Sequence, residues 1–243
     1  MNIIQKLKWL ILSGVTETIG EEPINRFERK ATPIKTEPIP EMEPKADIAL
    51  SQQAQALAQK AQTLTELYQA RETFNGCPLK KTATHTVNGR GGSSPTILCV
   101  IEAADTEDDK SGIIMSGAVG QLLDKMLGAI GLDLNRNAYV TALVPWRPPG
   151  NRKPTEAEIA CCLPFFNREI ELLRPRCILI FGSGLSQILL GISALSKARG
   201  SWHAYQNIPV RVSVPPATLI KLPAQKKQAW EDLQAIQKKM EPN

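Results

Sequence analysis

From residue 96 onward, the chain alternates short apolar runs with longer segments in which apolar residues recur at helical spacing. The apolar runs are Thr96–Ile101, Ala138–Val144, Cys177–Phe181 and Pro209–Val214, and the helical segments are Gly117–Ile130, Thr155–Leu173, Leu185–Leu190 and Ala224–Met240. Short apolar runs of this kind predict buried strands, and the longer segments predict helices. The order favours a parallel sheet covered on both faces. We therefore predict a three-layer α/β/α sandwich with a central, mainly parallel four-stranded sheet.

The same pattern indicates where a ligand would bind. In sheets of this kind, ligands bind outside the carboxyl ends of the strands. The loops that follow the strands cover residues 101–117, 142–154, 181–184 and 214–223. These loops are where functional residues are expected.

The first 75 residues are organised differently. Residues 1–20 are predicted to contain an amphipathic helix, and residues 21–47 carry five prolines among mixed charges, which is typical of a flexible linker. Residues 48–75 contain no Gly or Pro and predict one long helix, which leaves residues 76–243 as the main domain. The apolar stretch near the start is short and is interrupted by Lys6 and Lys8, so no membrane span or signal peptide is expected.

Charge and cysteine content indicate the kind of partner and the cellular compartment. The net charge is +5, and residues 146–243 hold 14 Lys/Arg against 7 Asp/Glu. A basic half of this kind is compatible with a polyanion such as nucleic acid, or with an ordinary solvated surface. The five cysteines form no paired framework, which predicts the reducing cytoplasm.

One loop carries a specific motif. The segment Trp146-Arg-Pro-Pro-Gly-Asn-Arg-Lys-Pro154 follows a predicted strand and precedes a predicted helix that contains Cys161, Cys162 and Pro164. Further matching stretches are Gly112, Gly117–Leu123, Arg199–Trp202 and residues 219–226. Together these segments resemble the uracil-DNA glycosylase superfamily, family 4, over about residues 74–240. The resemblance implies an enzyme that flips uracil out of DNA and hydrolyses its glycosidic bond.

The resemblance also implies a first-strand loop of Gly-Glu-Ala-Pro-Gly, where this chain reads Ile101-Glu102-Ala103-Ala104-Asp105. Glu102 stands at the position that orients or activates water, and it can equally be an ordinary loop acid. Glycines let the backbone approach a substrate in conformations that side chains oppose. We therefore expect Ile101 and Asp105 to bring bulk and a carboxylate into that space.

Three further family positions are changed. Met115 stands where an aromatic ring stacks on uracil, and it offers no ring face. Ala142 stands where an asparagine reads the uracil edge, and its side chain can neither donate nor accept a hydrogen bond. Pro215 stands where a histidine stabilises the departing base. The four changes together predict a catalytically degenerate member of the family.

Many family 4 members bind a 4Fe–4S cluster through four cysteines. Cys77 and Cys162 match two of those positions, whereas Phe74 and Trp146 stand at the other two. We expect the aromatic rings to fill the former cluster volume, so no cofactor is predicted and no other metal site is expected.

Contacts with the DNA backbone are implied for Ser116 and Gly117. Leu219, Ile220 and Lys221 follow the last predicted strand, where the family inserts a wedge into the duplex. An apolar pair there can equally anchor the loop in the core. These residues predict weak, non-specific DNA binding by a monomer.

Two other functions stay open at this stage. The first is an active glycosylase of base excision repair that acts on uracil or another damaged base through Glu102. The second is a protein-interaction module, unrelated to DNA, that uses the Pro-rich linker and the N-terminal helix.

Overall fold

The computed structural model describes residues 44–240, all within the unit Met42–Asn243. The amphipathic helix predicted for residues 1–20 and almost all of the linker predicted for 21–47 lie outside the described residues. The helices are α1 Pro44–Lys60, α2 Leu64–Thr73, α3 Thr106–Ser111, α4 Gly117–Gly128, α5 Glu156–Leu173, α6 Gly182–Leu190, α7 Leu195–Ala198, α8 Pro216–Lys221 and α9 Lys226–Met240. The strands are β1 Arg90–Gly91, β2 Ile97–Ala103, β3 Ala138–Val144, β4 Cys177–Phe181, β5 Trp202–Tyr205 and β6 Ile208–Ser213.

The sheet has six strands in the order β1-β3-β2-β4-β6-β5. The four central strands β3, β2, β4 and β6 are parallel, as predicted, and β1 and β5 add an antiparallel strand at each edge. The four predicted parallel strands are therefore confirmed, and the two edge strands are additional to the prediction. The edge strands are only two and four residues long, too short to show a period-two pattern.

Two apolar clusters cover the two faces of the sheet. Residues of β2 alternate between them, since Leu98 and Val100 belong to one cluster and Ile97 and Cys99 to the other. All seven residues of β3 are buried. The predicted three-layer arrangement is confirmed.

The single helix predicted for residues 48–75 is instead two helices. Helix α1 ends at Lys60 and α2 begins at Leu64, because Thr63 caps α2 by accepting a hydrogen bond from the Glu66 N–H at 3.2 Å. The Glu66 carboxylate in return accepts from the Gln62 N–H at 2.7 Å. Thr63 and Glu66 satisfy backbone donors that a continuous helix would have paired internally.

A buried ion pair ties α2 to α5. Arg71 donates to Glu169 at 2.5 Å, and the two side chains are 1% and 0% exposed. The carboxylate also accepts from Tyr68 at 2.9 Å and from Thr141 of β3 at 3.1 Å. Two hydroxyls and one guanidinium therefore satisfy a charge that would otherwise be costly to bury. Within residues 44–240, no helix is long and apolar enough to cross a membrane.

Candidate nucleotide-binding cavity

A cavity of about 320 Å³ lies at the carboxyl ends of β2, β4 and β6. Its polar side chains are Glu102, Asp105, Lys153 and Ser183. The rest of the wall is apolar side chains, glycine and proline, including Ile101, Met115, Val119, Phe181 and Pro215 to Ala217. Three of the four predicted loops therefore contribute several residues each, and the loop that follows β3 contributes Lys153. This is the edge of the sheet at which a ligand was expected.

Glu102 lies within β2 and projects into this cavity. Its carboxylate rests on the backbone of Gly184 in α6: a Cβ added to Gly184 would lie 1.9 Å from Glu102 Oε2 and 2.5 Å from its Cδ. Partial burial raises the pKa of Glu102, and the ammonium of Lys153 opposes that rise. Glu102 is therefore a carboxyl group suited to exchanging protons. Its carboxylate fits against α6 because Gly184 has no Cβ there.

The first-strand loop differs from the expectation. Asp105 lines the cavity, but its carboxylate caps α3 by accepting hydrogen bonds from the N–H groups of Glu107 and Asp108 at 2.8 and 3.0 Å. Its φ is −101°, and Ile101 is paired with Ala142 inside the sheet. Positions 101 and 105 thus adopt backbone conformations that ordinary side chains accept. The Asp105 carboxylate is directed at the start of a helix that the sequence did not reveal.

Met115 closes one side of the cavity with a strained backbone. Its φ is +52° and it is 4% exposed. Arg90 donates to the carbonyls of Ile114 at 3.0 Å and Met115 at 3.4 Å. The Met115 carbonyl also packs on Gly120, where an added Cβ would lie 1.8 Å from the oxygen. These contacts hold an apolar thioether where the family resemblance implies a ring.

Ser116 and Gly117 begin α4 beside this loop. The Ser116 N–H donates to Asp108 at 2.8 Å, and the Ser116 Oγ has no hydrogen-bond partner among the described residues. Gly117 has a φ of +62° and open space around it. Both residues lie next to the cavity mouth but outside its wall.

Ala142 and Pro215 lie in different environments. Ala142 is fully buried in the core beside Ile101 and does not line the cavity. Pro215 does line the cavity, and its Cγ lies 3.3 Å from a Cβ added to Gly182. The cavity wall thus holds proline where the resemblance implies histidine. At the position where it implies asparagine, the chain has an alanine that lies in the core.

The segment after β6 divides its apolar residues between core and solvent. Leu219 is 1% exposed, which favours the core-anchoring reading for that residue. Ile220 is 46% exposed, and Lys221 is also exposed. Leu222, which the sequence reading passed over, is 52% exposed. Ile220, Lys221 and Leu222 therefore form the protruding tip.

The residues at the former cluster positions do not fit an iron–sulphur cluster. Cys77 and Cys162 are in contact, and this contact lowers the pKa of Cys77. Phe74 and Trp146 are each 1% exposed, and the Phe74 ring lies 5.4 Å from that of Phe165. Trp146 Nε1 donates to Thr86 at 3.1 Å. Two thiols and two packed aromatic rings cannot supply the four thiolate ligands of such a cluster.

The motif loop is fixed to α5 by its own side chains. Glu158 accepts two hydrogen bonds from Arg152, at 2.8 and 2.6 Å, and it forms the predicted capping box with Thr155. Because the next residue is Lys153, this anchoring places a lysine at the cavity edge. Lys153 and Gly184 were missed by sequence reasoning. The only available signal for Lys153 was its place inside the motif, and none existed for Gly184.

Comparisons with known proteins match the chain to one superfamily. The family model described as the uracil DNA glycosylase superfamily matches residues 89–234. The chain is 30% identical to a type-4 uracil-DNA glycosylase of Archaeoglobus fulgidus over 66% of this chain and 84% of the relative. It is 32% identical to the type-4 enzyme of Saccharolobus solfataricus, over 66% and 78% respectively. It is also 35% identical to the type-4 enzyme of Thermotoga maritima, over 51% and 66%.

Proposed function

Because the chain belongs to the uracil-DNA glycosylase superfamily, we propose that it is a DNA-binding member that has lost uracil excision. The observation that carries the proposal is the composition of the cavity. Its wall contains the carboxyl groups of Glu102 and Asp105 but neither a side-chain amide nor an imidazole. Both histidines of the chain, His85 and His203, lie outside it. A site that cannot pair with the uracil edge loses its means of selecting that base.

The proposed partner is DNA, bound weakly and without base preference by a monomer in the cytoplasm. The exposed tip at Ile220 to Leu222 and the cations Lys221 and Lys153 support an electrostatic contact with the phosphate backbone. Each phosphate neutralised releases counterions, so the affinity should fall steeply as salt increases. Lys221→Ala should weaken binding equally for uracil-containing and undamaged DNA.

The experiment is a glycosylase assay on single- and double-stranded uracil DNA, with binding measured in parallel across salt concentrations. We expect binding without excision. Excision that disappears in Glu102→Ala would contradict the loss of activity. Binding that does not respond to salt, or that prefers uracil to thymine, would contradict the electrostatic account.

One observation favours a second candidate, an active glycosylase with a different target base. Glu102 is correctly placed in a cavity and its pKa is raised by burial, as a general acid or base requires. The same assay, run on oligonucleotides that contain other deaminated or oxidised bases, tests it. Release of any base that depends on Glu102 would favour this candidate over the first.

A gain-of-function series adds a second test of the proposal. Ala142→Asn with Pro215→His returns the two polar groups, but residue 142 is fully buried among apolar side chains. A buried amide without partners costs about 1–3 kcal/mol, so the double variant should be less stable and still inactive. Activity should appear only when Ile101→Gly, Ala104→Pro, Asp105→Gly and Met115→Phe are added, because Ile101, Asp105 and Met115 occupy the cavity wall and leave neither space nor a ring for the base. Excision by the double variant at the rate of the six-fold variant would show that the first-strand loop is not limiting.

A further inference from the structure

Glu102 and Lys153 stand together at the junction of two neighbouring cavities. The cavity of about 320 Å³ at the strand ends and a second one of about 200 Å³ beside it share both residues, together with Ala103 and Asp105. Apart from Ala104, the rest of the second cavity is lined by the motif loop, from Pro148 to Pro154. A carboxyl group and an amine therefore face one continuous space.

Two other charged side chains near this space have partners of their own. The Asp105 carboxylate caps α3, and Arg152 is paired with Glu158. Within residues 44–240, the Lys153 ammonium has neither a hydrogen bond nor an ion pair, and the backbone carbonyl of Lys153 is held by Arg152 at 2.9 Å. The lysine is thus fixed at its backbone and free at its amine.

This set of groups suits a sugar aldehyde better than a base. Recognition of a base edge requires paired donors and acceptors, but the larger cavity has no side-chain amide or imidazole, and the Asn151 amide of the smaller one is bound to Arg147 and Thr106. A lysine amine, by contrast, forms an imine with a carbonyl compound, and a neighbouring carboxyl group can move the protons. A nucleotide that has lost its base carries such a carbonyl at C1′ when its sugar ring opens.

We propose that the cavity takes the ring-opened sugar of an abasic nucleotide and that Lys153 forms an imine with its C1′ aldehyde, with Glu102 transferring the protons. The inference rests on the proposed DNA binding and adds a substrate class to it. The lysine first gives up a proton, which reaches the Glu102 carboxylate through water. Its nitrogen lone pair then forms a bond to C1′, and the carbonyl π electrons move to oxygen, which takes a proton from that nitrogen. The C–O bond then breaks, and that oxygen leaves as water with the proton returned by Glu102. One amine and one aldehyde thus give one imine and one water, and no electrons are gained or lost.

The test uses the full chain and an end-labelled oligonucleotide with one aldehyde abasic site, as a single strand and as a duplex. Sodium borohydride reduces an imine to a stable amine, so a covalent complex appears on a denaturing gel. The matched variants are Lys153→Arg, which keeps the charge, and Lys226→Arg, which changes an exposed lysine outside both cavities. We expect at least a tenfold loss of trapped complex in the first variant and no change in the second. Peptide mapping should place the adduct on Lys153.

Binding to a tetrahydrofuran analogue of the abasic site, which has no aldehyde, tests DNA binding separately from imine formation. If the protein binds the analogue but no complex is trapped, the imine is refuted and the proposed function stands. Equal trapping by Lys153→Arg, or an adduct on other lysines, also refutes the imine. Failure to bind any DNA would refute the proposed function itself, and the imine with it.

Discussion

The contact between Glu102 and Gly184 supports a prediction that does not depend on any activity. An alanine at 184 would place its Cβ 1.9 Å from Glu102 Oε2 and 2.8 Å from Oε1. Real Cβ atoms essentially never approach another heavy atom within 3.0 Å. The carboxylate must therefore move by about 1 Å or more, and the cavity beside it provides the room.

The effect of Gly184→Ala on the free energy of unfolding can be compared with that of a control substitution at Gly128. Gly128 ends α4 and has open space where a Cβ would be added. Gly-to-Ala in a helix stabilises by up to about 1 kcal/mol, and this gain applies in both variants. In Gly184→Ala, a displaced side chain offsets it by about 0.5–1.5 kcal/mol. We expect Gly128→Ala to raise the free energy of unfolding and Gly184→Ala to leave it near the wild-type value.

The decisive measurement is a carbon-13 NMR titration of the Glu102 carboxyl group, with urea unfolding of both variants. Burial raises the pKa of Glu102 in the wild type. The displaced carboxylate of Gly184→Ala is better hydrated, so its pKa should fall toward the ordinary glutamate value, whereas Gly128→Ala should not change it. Because a misplacement near 1 Å can cost on the order of 10²-fold in rate, imine trapping should slow by a similar factor. An unchanged Glu102 pKa in Gly184→Ala would refute the reasoning.

Three further predictions concern the scaffold. The purified protein should be colourless and free of iron, because Phe74 and Trp146 stand at two of the four expected ligand positions; broad visible absorbance with stoichiometric iron after anaerobic purification would contradict this. Arg71→Met should lower the free energy of unfolding in urea by about 3–5 kcal/mol, since it leaves the Glu169 charge buried and unpaired, and Arg71→Met with Glu169→Leu should recover most of the loss. Glu158→Gln should cost about 1 kcal/mol at pH 7 through the lost ion pair with Arg152, since glutamine can still complete the capping box. The hydrogen bonds from Arg152 and from the Thr155 cap lower the pKa of Glu158 below its usual 4.5. This stabilisation is therefore present above pH 4.5 and disappears as the pH falls through the lowered pKa. A stability difference between wild type and variant that persists at lower pH would argue against this account.

Periodicity alone located the central strands and the covering helices. The ranges of β3 and β4 were predicted residue for residue, because each is an almost continuous apolar run that begins after a polar residue and ends at Pro145 or Gly182. The edge strand β5 was missed because its four residues pair with one neighbour only and alternate no apolar face. The break between α1 and α2 was also missed, since Thr63 is compatible with either a helix interior or a cap.

The family resemblance predicted part of the site. The resemblance selected the cavity and placed Glu102 and Pro215 in it, because the order of elements and the Arg-Pro-Pro-Gly-Asn-Arg segment are local features of the chain. It also predicted a carboxylate of Asp105 facing the substrate. Asp105 does line the cavity, and one oxygen of its carboxylate, Oδ1, accepts hydrogen bonds from the first N–H groups of the helix that follows.

The sequence by itself therefore determined the layered α/β fold, the family and the end of the sheet that carries the site, since these depend on periodicity and on contiguous motifs. Only the tertiary structure decided which side chains share a space. Leu219 and Ile220 are adjacent and chemically alike, yet one is 1% and the other 46% exposed, because the direction of α8 against the core separates them. The cavity brings together Glu102, Gly184 and Lys153 from three segments that are distant in sequence. No local pattern encodes it, because it arises from the close packing of the strand ends.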